Sequence, residues 1–391
     1  MNGKINKKSV LLFLLVFLAI LFKYLSMWSY LILGEFKTSL PLFFVIIALF
    51  FVLISNLKVL KKNFKKMLLL GIGGVIITVM TSSIDYAIAF LFAIVFSISK
   101  DGDKKFVKCF FISSIILFIL TILMSVMGIL PENNSIRRVE GETLIRANLG
   151  FTGMNTVFLC FLPIVLSFFI LYEKKFEKQK LLIVIITFLI SYVLYKATLC
   201  RTGFYCSLIM LLLFFFVDKI HNSKIVTVFV KYSYIILLVI SIGIAIIYGN
   251  TYENSVNMIL TGRPYYWNYY ISNYQLSLTG IDILNTMPLD NAYLTYLYDY
   301  GIICFILFAY ITLVSQKSIS KNKYILLAFL VFVIYGMFEN NFIYHYNFIL
   351  TLQMIYIIGI KDSCTLIKEE SSEEKKAKEL YKLKEEKQIL S

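Results

Sequence analysis

Charge is what this chain has least of. Only 16% of its 391 residues are Asp, Glu, Lys or Arg, whereas 59% are hydrophobic, and the mean hydropathy is +0.81. No water-soluble domain has that balance, so the chain reads as a polytopic membrane protein. Histidine is scarcer still, at two residues, which leaves a zinc site almost without nitrogen ligands. The six cysteines (Cys109, Cys160, Cys200, Cys206, Cys304 and Cys364) show no C-x-x-C pairing and no metal-ligand spacing. Most fall inside apolar runs, where small side chains fill helix contacts. Of the five prolines, Pro131, Pro264 and Pro288 lie in polar stretches, and only Pro41 and Pro163 lie in or beside apolar runs. The net charge of +15 would suit nucleic acid, but the lysines are dispersed over short loops, so no nucleic-acid partner is expected. The opening stretch from Lys4 to Phe22 has the basic start and apolar run of a signal peptide. It lacks a small-residue cleavage site, so it is expected to remain as a first helix.

A helical span needs about twenty apolar residues, and about twelve candidates follow. They run roughly over 9–31, 38–56, 67–82, 84–98, 106–130, 153–172, 181–198, 202–217, 227–248, 292–314, 324–338 and 343–360. The expected fold is all-α, with a transmembrane domain over 1–360 and a charged tail over 361–391. That tail holds eight lysines and eight acidic residues and reads as a cytoplasmic helix, a disordered end or a partner contact.

Lysine sets the orientation. Lys4, Lys7 and Lys8 precede the first span, and Lys58, Lys61, Lys62, Lys65 and Lys66 follow the second. Every alternate loop after these is basic, at Lys100–Lys105, Lys174–Lys180, Lys219–Lys224 and Lys317–Lys323. Positive charge stays inside, so both termini and these loops are expected in the cytoplasm of a multi-pass cell-membrane protein. Two long loops, 131–152 and 249–291, then fall outside. Arginine sorts the other way. Against thirty-three lysines there are five arginines, Arg137, Arg138, Arg146, Arg201 and Arg263, all on or near the expected external face. Arginine offers a planar fork that grips phosphate or carboxylate through two parallel hydrogen bonds, so the sorting points to an anion.

The larger loop is polar, aromatic and turn-rich. Tyr265, Tyr266, Trp267, Tyr269, Tyr270 and Tyr274 suit a short amphipathic helix with its rings at headgroup level. The smaller loop re-enters the membrane through Gly150, Gly153 and Asn155, and Arg201 sits in the short turn Leu199-Cys-Arg-Thr-Gly203, where Gly203 permits close helix packing. Glu339 and His345 lie in the last external turn. Gly71, Gly73 and Gly74 lack the strand–helix context of a nucleotide loop and read as helix-packing residues.

Three pieces together resemble the Wzy-type polysaccharide polymerases and their O-antigen ligase relatives. They are Arg146-Ala-Asn-Leu-Gly-Phe-Thr-Gly-Met-Asn155, Leu199-Cys-Arg-Thr-Gly203, and Thr261-Gly-Arg-Pro-Tyr-Tyr-Trp267 followed by Asp290-Asn-Ala-Tyr-Leu294. The expected layout, about twelve spans with one dominant external loop, is also similar. The resemblance implies a GT-C-like membrane glycosyltransferase, inverting and metal-independent, with no cofactor. A growing glycan on undecaprenyl diphosphate would pass to an incoming lipid-linked oligosaccharide repeat, as in capsule, O-antigen or exopolysaccharide assembly, with a chain-length regulator as a further partner. Ligases of this kind carry His-Asn at the end of the large loop; Asp290-Asn291 stands here, which favours polymerisation over ligation.

The residues support that chemistry on their own terms. A diphosphate leaving group gathers negative charge, and Arg137, Arg138, Arg146, Arg201 and Arg263 are the cations available to meet it at a partly dry surface. An acceptor hydroxyl needs a base. Asp290 is the first candidate, with Glu140 and Glu339 next. Asn291 would orient a hydroxyl or the carboxylate, and Tyr266 and Trp267 would offer flat faces to sugar rings. The competing readings are a ligase-type transferase and a lipid-linked oligosaccharide flippase. A transporter would show repeats and broken helices, and the sequence displays no repeat.

Overall fold

The computed structural model describes residues 7–28, 42–44, 46–47, 49–50, 57–98, 101–130, 135–139, 142–173, 179–253, 255–281, 289–340 and 348–359. Most of the expected second span, Glu140, His345 and the charged tail lie outside the described residues.

The described chain is mainly helical: α1 (Lys7–Met27), α2 (Leu57–Thr81), α3 (Ile84–Ser97), α4 (Gly102–Val126), α5 (Met154–Leu171), α6 (Lys180–Thr198), α7 (Arg201–Phe215), α8 (Val217–His221), α9 (Lys224–Tyr248), α10 (Ser255–Ile259), α11 (Arg263–Asn273), α12 (Ala292–Tyr298), α13 (Gly301–Ile319), α14 (Lys323–Tyr335) and α15 (Phe348–Gly359). Among the described residues, six segments are long and apolar enough to cross a membrane, namely Phe64–Thr81 within α2 and the whole of α4, α5, α6, α9 and α13. Five shorter apolar helices accompany them.

The described residues are mostly helical, as expected, and they include one antiparallel hairpin that the sequence did not announce, β1 (Ser135–Val139) and β2 (Glu142–Arg146), in register from Ser135 against Arg146 to Val139 against Glu142. Ile136, Val139, Thr143 and Ile145 are β-branched and suit a pleated ribbon. The expected span 292–314 is also broken in two. All seven residues of α12 are buried, the helix stops before Gly301 (φ +88°), and α13 then runs on to Ile319. The loop at Ser277–Ile281 lies in the break. Ile281 N–H donates to Tyr298 O, Ile302 N–H to Ser277 O, and a side chain at Gly301 would strike the Gly280 nitrogen at 2.3 Å. Backbone exposed by a broken helix needs such partners at membrane depth.

Packing separates inner from outer helices. In α5, 78% of the span is buried, against 22% in α2 and α6, so α5 lies at the centre of the bundle and the other two present apolar faces outward. Gly203 of α7 meets α5 closely: a Cβ there would lie 2.2 Å from the Phe158 ring. Of the three glycines in α2, only Gly74 is tightly approached, by Phe90. Six hydroxyl groups within the helices are satisfied internally. Thr121, Ser167, Ser191, Thr198, Ser207 and Ser241 each donate to the carbonyl four residues back. The one lysine deep in α1, Lys23, is paired with Asp85 in the first turn of α3, which offsets the cost of a charge inside a span.

The two ends of the bundle differ in chemistry. At one end Asp218 holds Lys180 and Lys323, Asn322 donates to Glu173, Tyr356 donates to Asp103, and Lys66 donates to Ile357 O. At the opposite end Arg146 Nε donates to Thr198 O, Ala147 N–H to Ala197 O, and Ala292 N–H to Gly336 O. Helix directions thus gather the contacts of Lys66, Lys180 and Lys323 at one end and Arg146, Arg201 and Arg263 at the other.

Candidate functional site

The site begins with the way the large loop is pinned. Asn257 is fully buried and donates to Tyr248 O and Thr251 O at the end of α9, while its side-chain oxygen accepts the Tyr265 N–H. Thr261 and Gly262 then take left-handed backbone angles (φ +58° and +80°), a turn that favours glycine. Arg263 follows as the first residue of α11, with Pro264 behind it, a good position for proline because its missing N–H would be unpaired there. The helix is amphipathic as expected. It buries Arg263, Pro264, Trp267 and Tyr270, and leaves Tyr265, Tyr266 and Tyr269 partly exposed.

Arg263 is buried, and it is the hub of a polar cluster. Nη1 donates to Thr261 Oγ1 at 2.7 Å. Nη2 donates both to Glu339 Oε1 at 2.9 Å and to Asp290 Oδ2 at 3.4 Å. The guanidinium therefore touches each carboxylate with one nitrogen only, and its buried Nε has no hydrogen-bond partner among the described residues. Glu339 sits just past the end of α14, its N–H bonded to Tyr335 O. Its Oε1 also accepts from Asn155 Nδ2 at 2.9 Å, and the Cys200 Sγ–H donates to Asn155 Oδ1 at 3.2 Å. Asn155 is the second residue of α5 and Cys200 the cap of α7. Five separate stretches thus meet at one point.

The two carboxylates differ in environment. The Glu339 side chain is 6% exposed and that of Asp290 43%. Burial pushes the Glu339 carboxyl from 4.5 up to about 8, Arg263 pulling it down, Asp290 pushing it further up and the Asn155 bond pulling it down. Burial also raises Asp290, against the pull of Arg263, which is the direction expected of a carboxylate at an apolar boundary. The Cys200 thiol is driven by burial to about 12, so at neutral pH it keeps its proton and remains a donor.

The other expected site residues divide. Arg146 anchors the turn before α7 through Thr198 O, and Arg201 is the first residue of α7, directly after Cys200. Both lie at the same end as Arg263. Arg201 has no hydrogen bond or ion pair among the described residues. Arg137 and Arg138 are consecutive residues of β1, opposite Leu144 and Thr143; Glu140 falls outside the described residues. Asn291 is a strut of the fold. Its oxygen caps α12 by accepting from Tyr293 N–H and Leu294 N–H, and its amide donates to Ser241 Oγ and Met337 O. Every hydrogen-bonding position of that side chain is used, which corrects its assignment to substrate and leaves Asp290 outside the cap. Trp267 is fully buried, so the sugar-stacking face expected of it is not presented; Tyr266 stays partly exposed.

Asn155, Cys200, Tyr335 and Asn257 were not among the expected site residues. The first two stand inside the motifs that carry the resemblance, which was their only signal. Asn257 and Tyr335 carry none, since a buried asparagine and a loop asparagine look alike in a sequence. Beside Arg263 Nε, the buried Trp267 Nε1, Tyr335 hydroxyl and Asn340 Oδ1 also lack hydrogen-bond partners among the described residues, so polar capacity remains at this end of the bundle. Compared with family models, with curated proteins and with solved structures, the chain finds no match.

Proposed function

We propose that the chain polymerises lipid-linked oligosaccharide repeat units on the outer face of the cell membrane, moving the growing glycan from undecaprenyl diphosphate to the incoming repeat. The observation that carries this reading is the cluster at the arginine end, where a buried arginine joins two carboxylates of unequal exposure. In such a transfer the acceptor hydroxyl oxygen bonds to the anomeric carbon as the carbon–phosphate oxygen bond breaks. The diphosphate leaves with the bonding electrons, and the hydroxyl proton goes to a carboxylate. Arg263, Arg146 and Arg201 would meet the charge on the leaving diphosphate, and Asp290 or Glu339 would take the proton. The partly exposed Tyr265, Tyr266 and Tyr269 offer ring faces beside the cluster. Both termini lie in the cytoplasm in this reading.

The broken α12–α13 helix is the one feature that favours a flippase instead, since transporters build substrate sites at such breaks. The Ser277–Ile281 backbone occupies this break, which weighs against that use. The two readings separate in cells producing the glycan. Loss of a polymerase leaves single repeats on lipid at the outer face, whereas loss of a flippase leaves them at the inner face. Arg263→Lys keeps the charge but loses the planar fork, and is expected to cut polymer at least about tenfold at unchanged protein level. Repeats trapped inside the deletion strain, or full polymer from Arg263→Lys, would overturn the proposal.

A further inference from the structure

The geometry points to Asn155 as a positioning residue, oriented by the Cys200 thiol, that holds Glu339 as the proton acceptor with one oxygen fixed and the other presented to the acceptor hydroxyl. This rests on the transfer reading above and chooses between its two carboxylates.

Glu339 Oε1 receives two hydrogen bonds, from Arg263 Nη2 and Asn155 Nδ2, each 2.9 Å long. Those donors come from α11 and α5, so the carboxyl plane is set from two sides, and Oε2 accepts from neither. Asp290 has no such frame: its single contact with Arg263 is 3.4 Å long and its side chain is 43% exposed. A base is effective when its oxygen is held where the proton departs, and only Glu339 is held. The asparagine amide could face either way, since its oxygen and nitrogen have nearly the same shape. Turned round, its oxygen would oppose the carboxylate. Cys200, a protonated thiol at 3.2 Å from Oδ1, donates to the oxygen and so turns the NH2 group toward Glu339. Gly203, one turn along α7, lets that helix approach α5 closely enough for the thiol to reach.

The charged and titratable groups around Glu339 are Arg263 on α11, Asp290 before α12, Cys200 and Cys206 on α7, and Tyr335 on α14. Among these the Asn155 bond is a neutral donor that favours the ionised carboxylate, so its removal raises the midpoint of Glu339. A purely structural tether between α5 and the Glu339 turn would change stability and leave the pH–rate profile alone.

The test is an infrared pH titration of the full chain in lipid nanodiscs, with the protonated Glu339 carboxyl band identified by its disappearance in Glu339→Gln. Asn155→Ala is expected to move the midpoint upward by about one pH unit, the size of one hydrogen bond to a charged group. Cys200→Ala is expected to move it in the same direction by less, and Cys200→Ser, which keeps a donor, to restore the wild-type value. An unchanged or lowered midpoint in folded Asn155→Ala overturns the proposal. If that variant does not fold, Cys200→Ala decides, and equal midpoints in Cys200→Ala and Cys200→Ser overturn it. The titration needs no substrate, so failure of the transfer reading shows separately, as no polymer from the wild-type protein supplied with lipid-linked repeats. Where wild type does polymerise, the rising limb of the Asn155→Ala pH–rate profile is expected to shift upward with the midpoint; an unshifted limb overturns the role in proton transfer.

Discussion

Replacing Glu339 by glutamine exposes the energetic cost of the site. Gln keeps the size of the side chain, and its carbonyl oxygen still accepts from Arg263 Nη2 and Asn155 Nδ2, the two bonds Glu339 makes. What disappears is the ionisable group. In the fold that carboxyl is raised from 4.5 to about 8, so between those values the folded protein holds a proton that the unfolded chain has released. Stability therefore falls as pH rises from about 4.5, and the whole cost is present above about pH 8. At about 1.4 kcal/mol for each tenfold change, the displacement corresponds to about 5 kcal/mol. Glu339→Gln escapes that cost. Its Tm in detergent is expected to exceed that of wild type at about pH 9, with the gap shrinking steadily and closing near pH 4.5. Polymer formation is expected to fall by at least about a hundredfold in the same variant, in the range of a lost general base. A variant less stable than wild type at about pH 9, or a Tm gap independent of pH, would refute the argument that burial of an ionisable group at this site is costly and retained for use.

Two further tests address neighbours of the site. Asn291→Ala is expected to cost about 3 kcal/mol, through loss of the α12 cap and of two buried bonds to Ser241 and Met337, whereas Asp290→Asn next door is expected to leave stability within about 0.5 kcal/mol of wild type; thermal unfolding of both in detergent checks this, and equal losses would return Asp290 to a capping role. The topology is open to labelling because the five described cysteines are buried or half-buried: Leu276→Cys, at a position 51% exposed, is expected to react with an impermeant thiol reagent on intact cells freed of wall, while Ile225→Cys, 81% exposed at the start of α9, reacts only after permeabilisation, and the reverse pattern would invert the orientation.

Hydropathy and charge sorting made the membrane character and the contrast between the two ends legible in the sequence. Both signals are additive over a segment: twenty apolar residues make a candidate span wherever their neighbours are, and lysine and arginine sort by loop. The amphipathic α11 and the close packing at Gly203 were readable for the same reason, each resting on residues within one or two turns. The hairpin at 135–146 was not readable, because its pairing is between segments and its turn residues match those of any polar loop. Nor did the expected span 292–314 anticipate the break before Gly301, since only Asp299 and Gly301 interrupt its apolar run there and the loop that fills the gap lies twenty residues away. The site itself shows the limit most plainly. Arg263, Asp290 and Glu339 each stood out by residue type and place, but burial set their environments, and burial is a property of five stretches meeting. A carboxylate 6% exposed and one 43% exposed are the same letters in the chain until the helices close around one of them. Asn291 and Asn155 make the converse case. The asparagine that seemed chosen for substrate is spent on capping a helix, and the one at the mouth of α5 meets Glu339 and Cys200 only where α5, the start of α7 and the turn after α14 pack together.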